Sequence, residues 1–308
     1  MVSIEEIRRL MDEKGAVLLA HNYQRPEVQD AADFVGDSLE LSLKAAELEA
    51  KTIVFAGVDF MAEQAAILNP GKVVLHPERL ARCPMAAMLT LELAKGYKEK
   101  YPGVPFIVYV NSWAEVKALA DYVVTSANAV KLVSQLEADK VLFGPDRHLA
   151  EYVAEATGKE VIPVPSDGHC PVHLAITREE VEGARKRHPA AKVLAHPECV
   201  REVRRLADFV GSTSQMIRAA SELGAREYVV ATEVGLLHRL EKLGFKAHPA
   251  SSYAVCVEMK KITLSSILSS LVNGRNVVKV DAKVARRARE AIGRTFELLG
   301  VPPPWSRS

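Results

Sequence analysis

Three cysteines, Cys83, Cys170 and Cys256, recur at intervals of 87 and 86 residues. Taken alone, each is most simply a small buried apolar side chain. Equivalent placement three times over suggests instead three thiolates meeting at one metal or cluster, since thiolates are soft metal ligands. Cys83 and Cys170 each precede a proline, and Cys170 lies in the turn-rich stretch Ser166-Asp167-Gly168-His169-Cys170-Pro171, where a core cysteine is out of place. Cys199, three residues after His196, breaks the interval and is read as a bystander. Three thiolates with His173 would make a Cys₃His zinc site, but such sites usually draw paired cysteines from local knuckles. Single cysteines scattered along the chain suit an iron–sulfur cluster. Three ligands for four irons would leave one iron open, and an open iron can act as a Lewis acid in a dehydration.

The interval extends to the rest of the chain. Ala32-Asp33-Phe34-Val35, Ala120-Asp121-Tyr122-Val123 and Ala207-Asp208-Phe209-Val210 are spaced by 88 and 87 residues, the mark of a repeated structural unit. Counting from the three aspartates gives further equivalents. His21, Tyr109 and His196 lie 12 residues before them, Tyr23, Asn111 and Glu198 lie 10 before, and Ser38, Ser126 and Thr213 lie 5 after. Helix capping is the plain explanation of the hydroxyls, and a lone histidine is usually a satisfied structural one. At matched positions beside Tyr23 and Glu198, His21 and His196 point instead to ligand contact or proton transfer. Helix starts bearing hydroxyls also suit a carboxylate or phosphate.

Positioning these residues requires strands. Apolar runs at 16–20, 105–110 and 191–195 read as buried parallel strands. Each is followed by a short strand on the repeated segment, a helix such as 39–49, a third strand (52–57, 140–144, 227–231) and a fourth (73–75, 161–164, 245–247). The expected fold is α/β, with three pseudo-threefold-related αβα sandwich domains whose parallel sheets surround a central active site. The expected boundaries are 1–90, 91–177 and 178–264, with C-terminal helices over 264–272 and 285–299 joined to the first repeat. Ligands of open α/β sheets bind beyond the strands' carboxyl ends, and clefts between domains often hold small molecules.

With 48% hydrophobic and 26% charged residues in 308, the chain can bury a large core. A net charge of +1 without a long basic run gives no footprint for nucleic acid or an anionic membrane surface. No apolar run approaches the roughly 20 residues of a membrane span, and the capping pattern Ser3-Ile4-Glu5-Glu6 opens no secretory signal, so a cytoplasmic location is expected. There, disulfides are rare. Arg201, Arg204 and Arg205 read as a solvated helix face, and Pro302-Pro303-Pro304-Trp305 as a loosely held tail. His76, His148, His188, His238 and His248 receive no role.

Taken together, His21-Asn22-Tyr23-Gln24, Gly36-Asp37-Ser38, Cys83-Pro84-Met85, Tyr109-Val110-Asn111, Gly168-His169-Cys170-Pro171-Val172-His173, His196-Pro197-Glu198-Cys199, Gly211-Ser212-Thr213 and Glu258-Met259-Lys260-Lys261-Ile262 give a chain that resembles the quinolinate synthase family over essentially its whole length. The resemblance implies a [4Fe–4S] cluster on Cys83, Cys170 and Cys256. It also implies condensation of iminosuccinate with dihydroxyacetone phosphate to give quinolinate, phosphate and water. On this footing His21, Ser38, Ser126 and Thr213 hold carboxylates or phosphate, Tyr109 and Glu198 serve acid–base steps, and Tyr23, Asn111, His173 and His196 orient the intermediate. His21 and His196 are also counted among the catalytic positions, and Val110, Pro197 and Ser212 complete the substrate contacts. An L-aspartate oxidase or dehydrogenase would supply the imine. The rival readings are a three-cysteine cluster enzyme of the diphthamide-forming type and a zinc-stabilised binding protein.

Overall fold

The computed structural model describes residues 2–303 and 305. Three four-stranded parallel sheets alternate with helices. The first runs in the order β2-β1-β3-β4, from β1 (Ala16–His21), β2 (Phe34–Gly36), β3 (Thr52–Ala56) and β4 (Val73–Leu75). The second, β6-β5-β7-β8, is built from β5 (Phe106–Tyr109), β6 (Tyr122–Val124), β7 (Lys140–Gly144) and β8 (Glu160–Pro163). The third, β10-β9-β11-β12, uses β9 (Lys192–Ala195), β10 (Phe209–Val210), β11 (Glu227–Ala231) and β12 (Lys246–Pro249). The inner strands are almost continuously apolar, as strands covered by helices on both faces must be. The α/β class and the repeated parallel sheets agree with the sequence pattern.

The repeated aspartate has one job in all three copies. The backbone N–H groups of Leu18, Phe106 and Val193 donate to Asp33, Asp121 and Asp208, each at 2.8 Å. Each aspartate's own N–H returns to the carbonyl of that same residue at 2.9 Å. This reciprocal pair ties the turn before the second strand to the first strand.

The C-terminal helices divide their attachments. Leu264–Asn273 packs on the helix Ile4–Lys14 and on β3. Ala282–Leu298 instead crosses to the second sheet, lying along β6 and the short helix Ala114–Lys117. Its small buried residues Ala288, Ala291, Gly293 and Thr295 allow the close approach. Thr295 Oγ1 donates to the Val123 carbonyl at 2.8 Å and accepts from the Val123 N–H at 3.1 Å. Arg289 reaches back to the Ile67 carbonyl at the end of the helix Asp59–Leu68. The helix therefore clamps the first two repeats together rather than joining the first alone. Its far end carries the tail: Trp305 meets Phe296 edge to face at 5.6 Å, so the tail is held by its tryptophan, while Pro304 lies outside the described residues.

The arginine face also differs from expectation. Arg204 is buried, donating to the carbonyls of Cys199 at 2.7 Å and His148 at 3.2 Å and to Glu151 and Glu155 at 3.0 and 3.1 Å. It joins the third repeat to the second because those carbonyls and carboxylates supply the acceptors that a buried guanidinium needs.

Candidate active site

The carboxyl ends of β1, β5 and β9 open onto one cavity of about 720 Å³ including its mouth. Strand ends supply His21, Tyr23, Tyr109, Val110, Asn111, His196 and Glu198 to its wall, and helix starts or turns supply Ser38, Ser126, Ser212 and Thr213. Cys83, Cys170, Cys256 and His173 line it too. Pro197 is buried in the turn behind His196 and does not reach the lining.

Each of the three cysteines caps a short helix, Pro84–Met88, Pro171–Leu174 or Val257–Lys260, in nearly the same extended backbone conformation. None is in a disulfide. Burial pushes all three thiols up, Cys256 to about 11, while the N–H groups of Ala86, His173 and Met259 favour the thiolate without closing to a capping hydrogen bond. Cys199 points elsewhere: fully buried, its thiol donates to the Ala231 carbonyl at 3.3 Å.

Beside the Cys170 thiol runs a buried polar chain. The Tyr109 hydroxyl donates to Glu198 Oε1 at 2.6 Å. His173 Nδ1 stands 2.8 Å from Glu198 Oε2, close but out of line for a full hydrogen bond. Its Nε2 meets Thr232 Oγ1 at 2.8 Å, and that hydroxyl meets the Tyr23 hydroxyl at 2.6 Å. Burial alone would raise the Glu198 pKa, but His196, His173 and the Tyr109 hydroxyl hold it down to about 2. A charge on His196 is in tension with burial, which pushes it down to about 3 and so leaves it neutral at pH 7. The short Tyr109 bond decides for an ionised Glu198, because a phenol donates to a carboxylate without carrying charge. Burial and that carboxylate keep Tyr109 a phenol, raising its pKa well above the usual value.

His21 and His196 share a local turn. The N–H two residues on, from Tyr23 or Glu198, donates to ring Nδ1 at 3.1 or 3.3 Å. Accepting at Nδ1 places the proton of a neutral ring on Nε2. Burial brings the pKa of His21, like that of His196, down to about 3, so both are neutral N–H donors rather than cations.

The helix-start hydroxyls are not the caps. Asp37 caps Ser38–Glu47, accepting from the Glu40 N–H, and Ser212 caps Thr213–Glu222, accepting from the Gln215 N–H. Ser38 and Thr213 are the first helical residues, and Ser126 lies in the turn before Asn128, whose side chain accepts from the Thr125 N–H at 2.7 Å. The capping explanation therefore moves to Asp37 and Ser212. Thr213 Oγ1 accepts from Asn22 Nδ2 at 2.9 Å, joining the first and third repeats at the cavity wall.

Sequence reasoning missed Thr232 and three acids, Asp59, Asp146 and Glu233, which accept from the cysteine N–H groups. The acids lie 26, 25 and 25 residues after the repeated aspartates, so the same counting would have found them. It also missed the apolar wall of Val58, Phe60, Met61, Met85 and Met259, whose positions carry no chemical signal. Outside the site, His188 and His248 stack face to face at 3.5 Å beside Glu227, and the lone pairs of parallel rings cannot converge on one ion.

Residues 5–297 match the family model of the quinolinate synthetase A protein. The chain is 54% identical over 297 residues to a quinolinate synthase of Pyrococcus horikoshii, covering 96% of this chain and 98% of that one. It is 50% identical over 298 residues to a quinolinate synthase of Thermotoga maritima, covering 96% of this chain and all of that one. This chain belongs to the quinolinate synthase family. In a quinolinate synthase, a set of three half-buried cysteines, none in a disulfide and all lining one cavity, is compatible with a metal cluster. The ligand atoms of Cys170, His173 and Glu198 lie within 4.8 Å of one another, a grouping that is likewise compatible with a metal. Among the described residues no helix is long and apolar enough to cross a membrane.

Proposed function

We propose that this chain condenses iminosuccinate with dihydroxyacetone phosphate to quinolinate, phosphate and two waters, with a [4Fe–4S] cluster on Cys83, Cys170 and Cys256. The observation that carries the reading is the Tyr109–Glu198 pair, 2.6 Å apart and buried, lining the same cavity as three equivalent cysteines. When bound, such a cluster supplies a Lewis acid for loss of hydroxide through the iron without a protein ligand.

The chain's own residues supply the rest. His21 and His196 present Nε2–H donors, and Ser38, Ser126 and Thr213 present hydroxyls, toward the carboxylates and phosphate of the substrates. Neutral donors bind these anions by hydrogen bonds and retain no mobile proton of their own near pH 7. Proton movement falls to Glu198 and Tyr109: the carboxylate accepts a proton from a substrate carbon or nitrogen, and the phenol delivers one to a leaving oxygen. Thr232 joins the His173 ring to the Tyr23 hydroxyl and so holds both side chains in place beside this pair. Asn111 orients the intermediate beside Tyr109.

An L-aspartate oxidase or dehydrogenase would supply the imine, and the working compartment would be the cytoplasm, with neither nucleic acid nor membrane as partner. Iron-loaded protein, purified without oxygen, is expected to make quinolinate from dihydroxyacetone phosphate and freshly generated iminosuccinate. Iron-loaded protein that makes none, or colourless protein holding stoichiometric zinc, overturns the reading.

A further inference from the structure

Behind each cysteine stands one carboxylate. The N–H of Cys83 donates to Asp59 Oδ1, that of Cys170 to Asp146 Oδ2 and that of Cys256 to Glu233 Oε1, each at 3.0 Å. The acids precede their cysteines by 24, 24 and 23 residues and lie just past the carboxyl ends of β3, β7 and β11. Each also accepts a backbone N–H from the start of the following helix: Phe60 at 2.9 Å, Leu149 at 2.7 Å and Gly235 at 2.7 Å. Asp146 and Glu233 are fully buried. Their neighbours differ. Asp59 Oδ2 accepts from Trp113 Nε1 at 2.9 Å and Arg82 Nε at 3.4 Å, and Glu233 pairs with Lys260 at 2.8 Å. Asp146 has no ion pair among the described residues. Its loop is tight instead, because a Cβ on Gly168 would stand 1.9 Å from the Pro145 carbonyl oxygen.

We propose that Asp59, Asp146 and Glu233 are positioning residues for the three cysteines, each bolting one ligand's peptide N–H to the strand–helix junction of its own repeat. This rests on the reading of Cys83, Cys170 and Cys256 as cluster ligands. A peptide fixed on a rigid element keeps its sulfur aimed before the cluster is present, and partners one step behind a metal ligand typically change metal affinity by about 10- to 100-fold when removed.

The oxygen assignments give a test that separates positioning from general stability. Asp59 uses Oδ1 for both the Cys83 and Phe60 N–H groups and Oδ2 for Trp113 and Arg82, so Asp59→Asn keeps the anchor while giving up the Trp113 and Arg82 contacts, and Asp59→Ala removes both. Asp146 uses one oxygen per N–H, so Asp146→Asn must turn its amide NH₂ toward either Cys170 or Leu149. Iron release from the anaerobic holoprotein to a chelator, followed by visible absorbance, is expected to quicken about 10-fold or more in Asp59→Ala and Asp146→Asn. Asp59→Asn should stay within about 3-fold of the parent. Melting of each cluster-free variant supplies the control. Unchanged release in Asp59→Ala and Asp146→Asn overturns the proposal. So does an Asp59→Asn that releases iron as fast as Asp59→Ala, or a release rate that only follows the loss of melting temperature. Parent protein that holds no iron after anaerobic reconstitution overturns the ligand reading itself, and is told apart because it fails before any acid is changed.

Discussion

The second and third repeats end their first strands at the same point and put different chemistry there. Tyr109 closes β5, whereas His196 follows β9 and folds its ring onto the Glu198 N–H, as His21 does with Tyr23 in the first repeat. Two repeats thus offer neutral imidazole donors and one offers a phenol. The phenol then crosses to the third repeat to donate to Glu198 at 2.6 Å. The sets that agree in all three copies, the cysteines with their acids and the repeated aspartates, do a job needed three times. Those that differ face a substrate that has no threefold symmetry. Departures from the repeat therefore mark the chemistry, and the sharpest departure is the Tyr109–Glu198 pair.

Breaking that pair should cost the most. Glu198→Gln keeps the shape and removes the proton acceptor, so kcat is expected to fall by roughly 10³-fold, the middle of the range for a lost general acid–base group. The cluster spectrum should be unchanged. A kcat within a few-fold of the parent would move the base elsewhere. Tyr109→Phe removes only the hydroxyl and is expected to lower kcat by about 10²-fold. Turnover unchanged within a few-fold would remove the phenol from the chemistry and leave the second repeat with a merely structural strand end.

Why these two residues could be found by counting, while Thr232 could not, is instructive. His21, Tyr109, His196 and Glu198 sit at the end of the most apolar strand of each repeat, where a polar residue stands out against its neighbours. Thr232 follows β11 and its counterparts are not hydroxyls, so only the distance to His173 reveals its part. The aspartates were found as a pattern, but their partners lie 15 residues back on a different strand, and the count alone could not show it. The course of the helix Ala282–Leu298 was hidden for another reason: its apolar stripe says that it packs, but not on which sheet. The helix starts were misread by one residue, since Asp37 and Ser212 cap as well as the hydroxyls after them would.

The two imidazole sites can be compared through acid sensitivity. His21 and His196 have pKa values brought down to about 3 by burial, below the ordinary imidazole value of about 6.5. Below pH 6.5 the unfolded chain takes up two protons that the folded chain refuses, so their stabilisation is whole above that pH and is lost as pH falls toward 3. Two such groups give a slope of up to about 3 kcal/mol per pH unit. Denaturant midpoints of the parent between pH 7.5 and 5.5 should fall accordingly, and the His21→Gln/His196→Gln pair should flatten the fall. A slope untouched by the double substitution would mean that neither ring is held neutral.

The smallest effect is expected where the repeats agree most closely. Asp208→Asn keeps one acceptor oxygen for the Val193 N–H but gives up the charge that strengthens that bond and pairs with Lys192 at 3.0 Å. The carboxylate is exposed, so solvent screens much of that loss, and about 1 kcal/mol of stability is expected to go, with kcat unchanged. Asp33→Asn and Asp121→Asn should behave alike, because each holds its strand by the same 2.8 Å bond. The result that would hurt is a large fall in kcat for one of the three without a matching loss of melting temperature. A residue with the same partners in every copy would then be acting on the substrate from one copy only, and the rule that agreement marks scaffold while departure marks chemistry would fail where it is simplest.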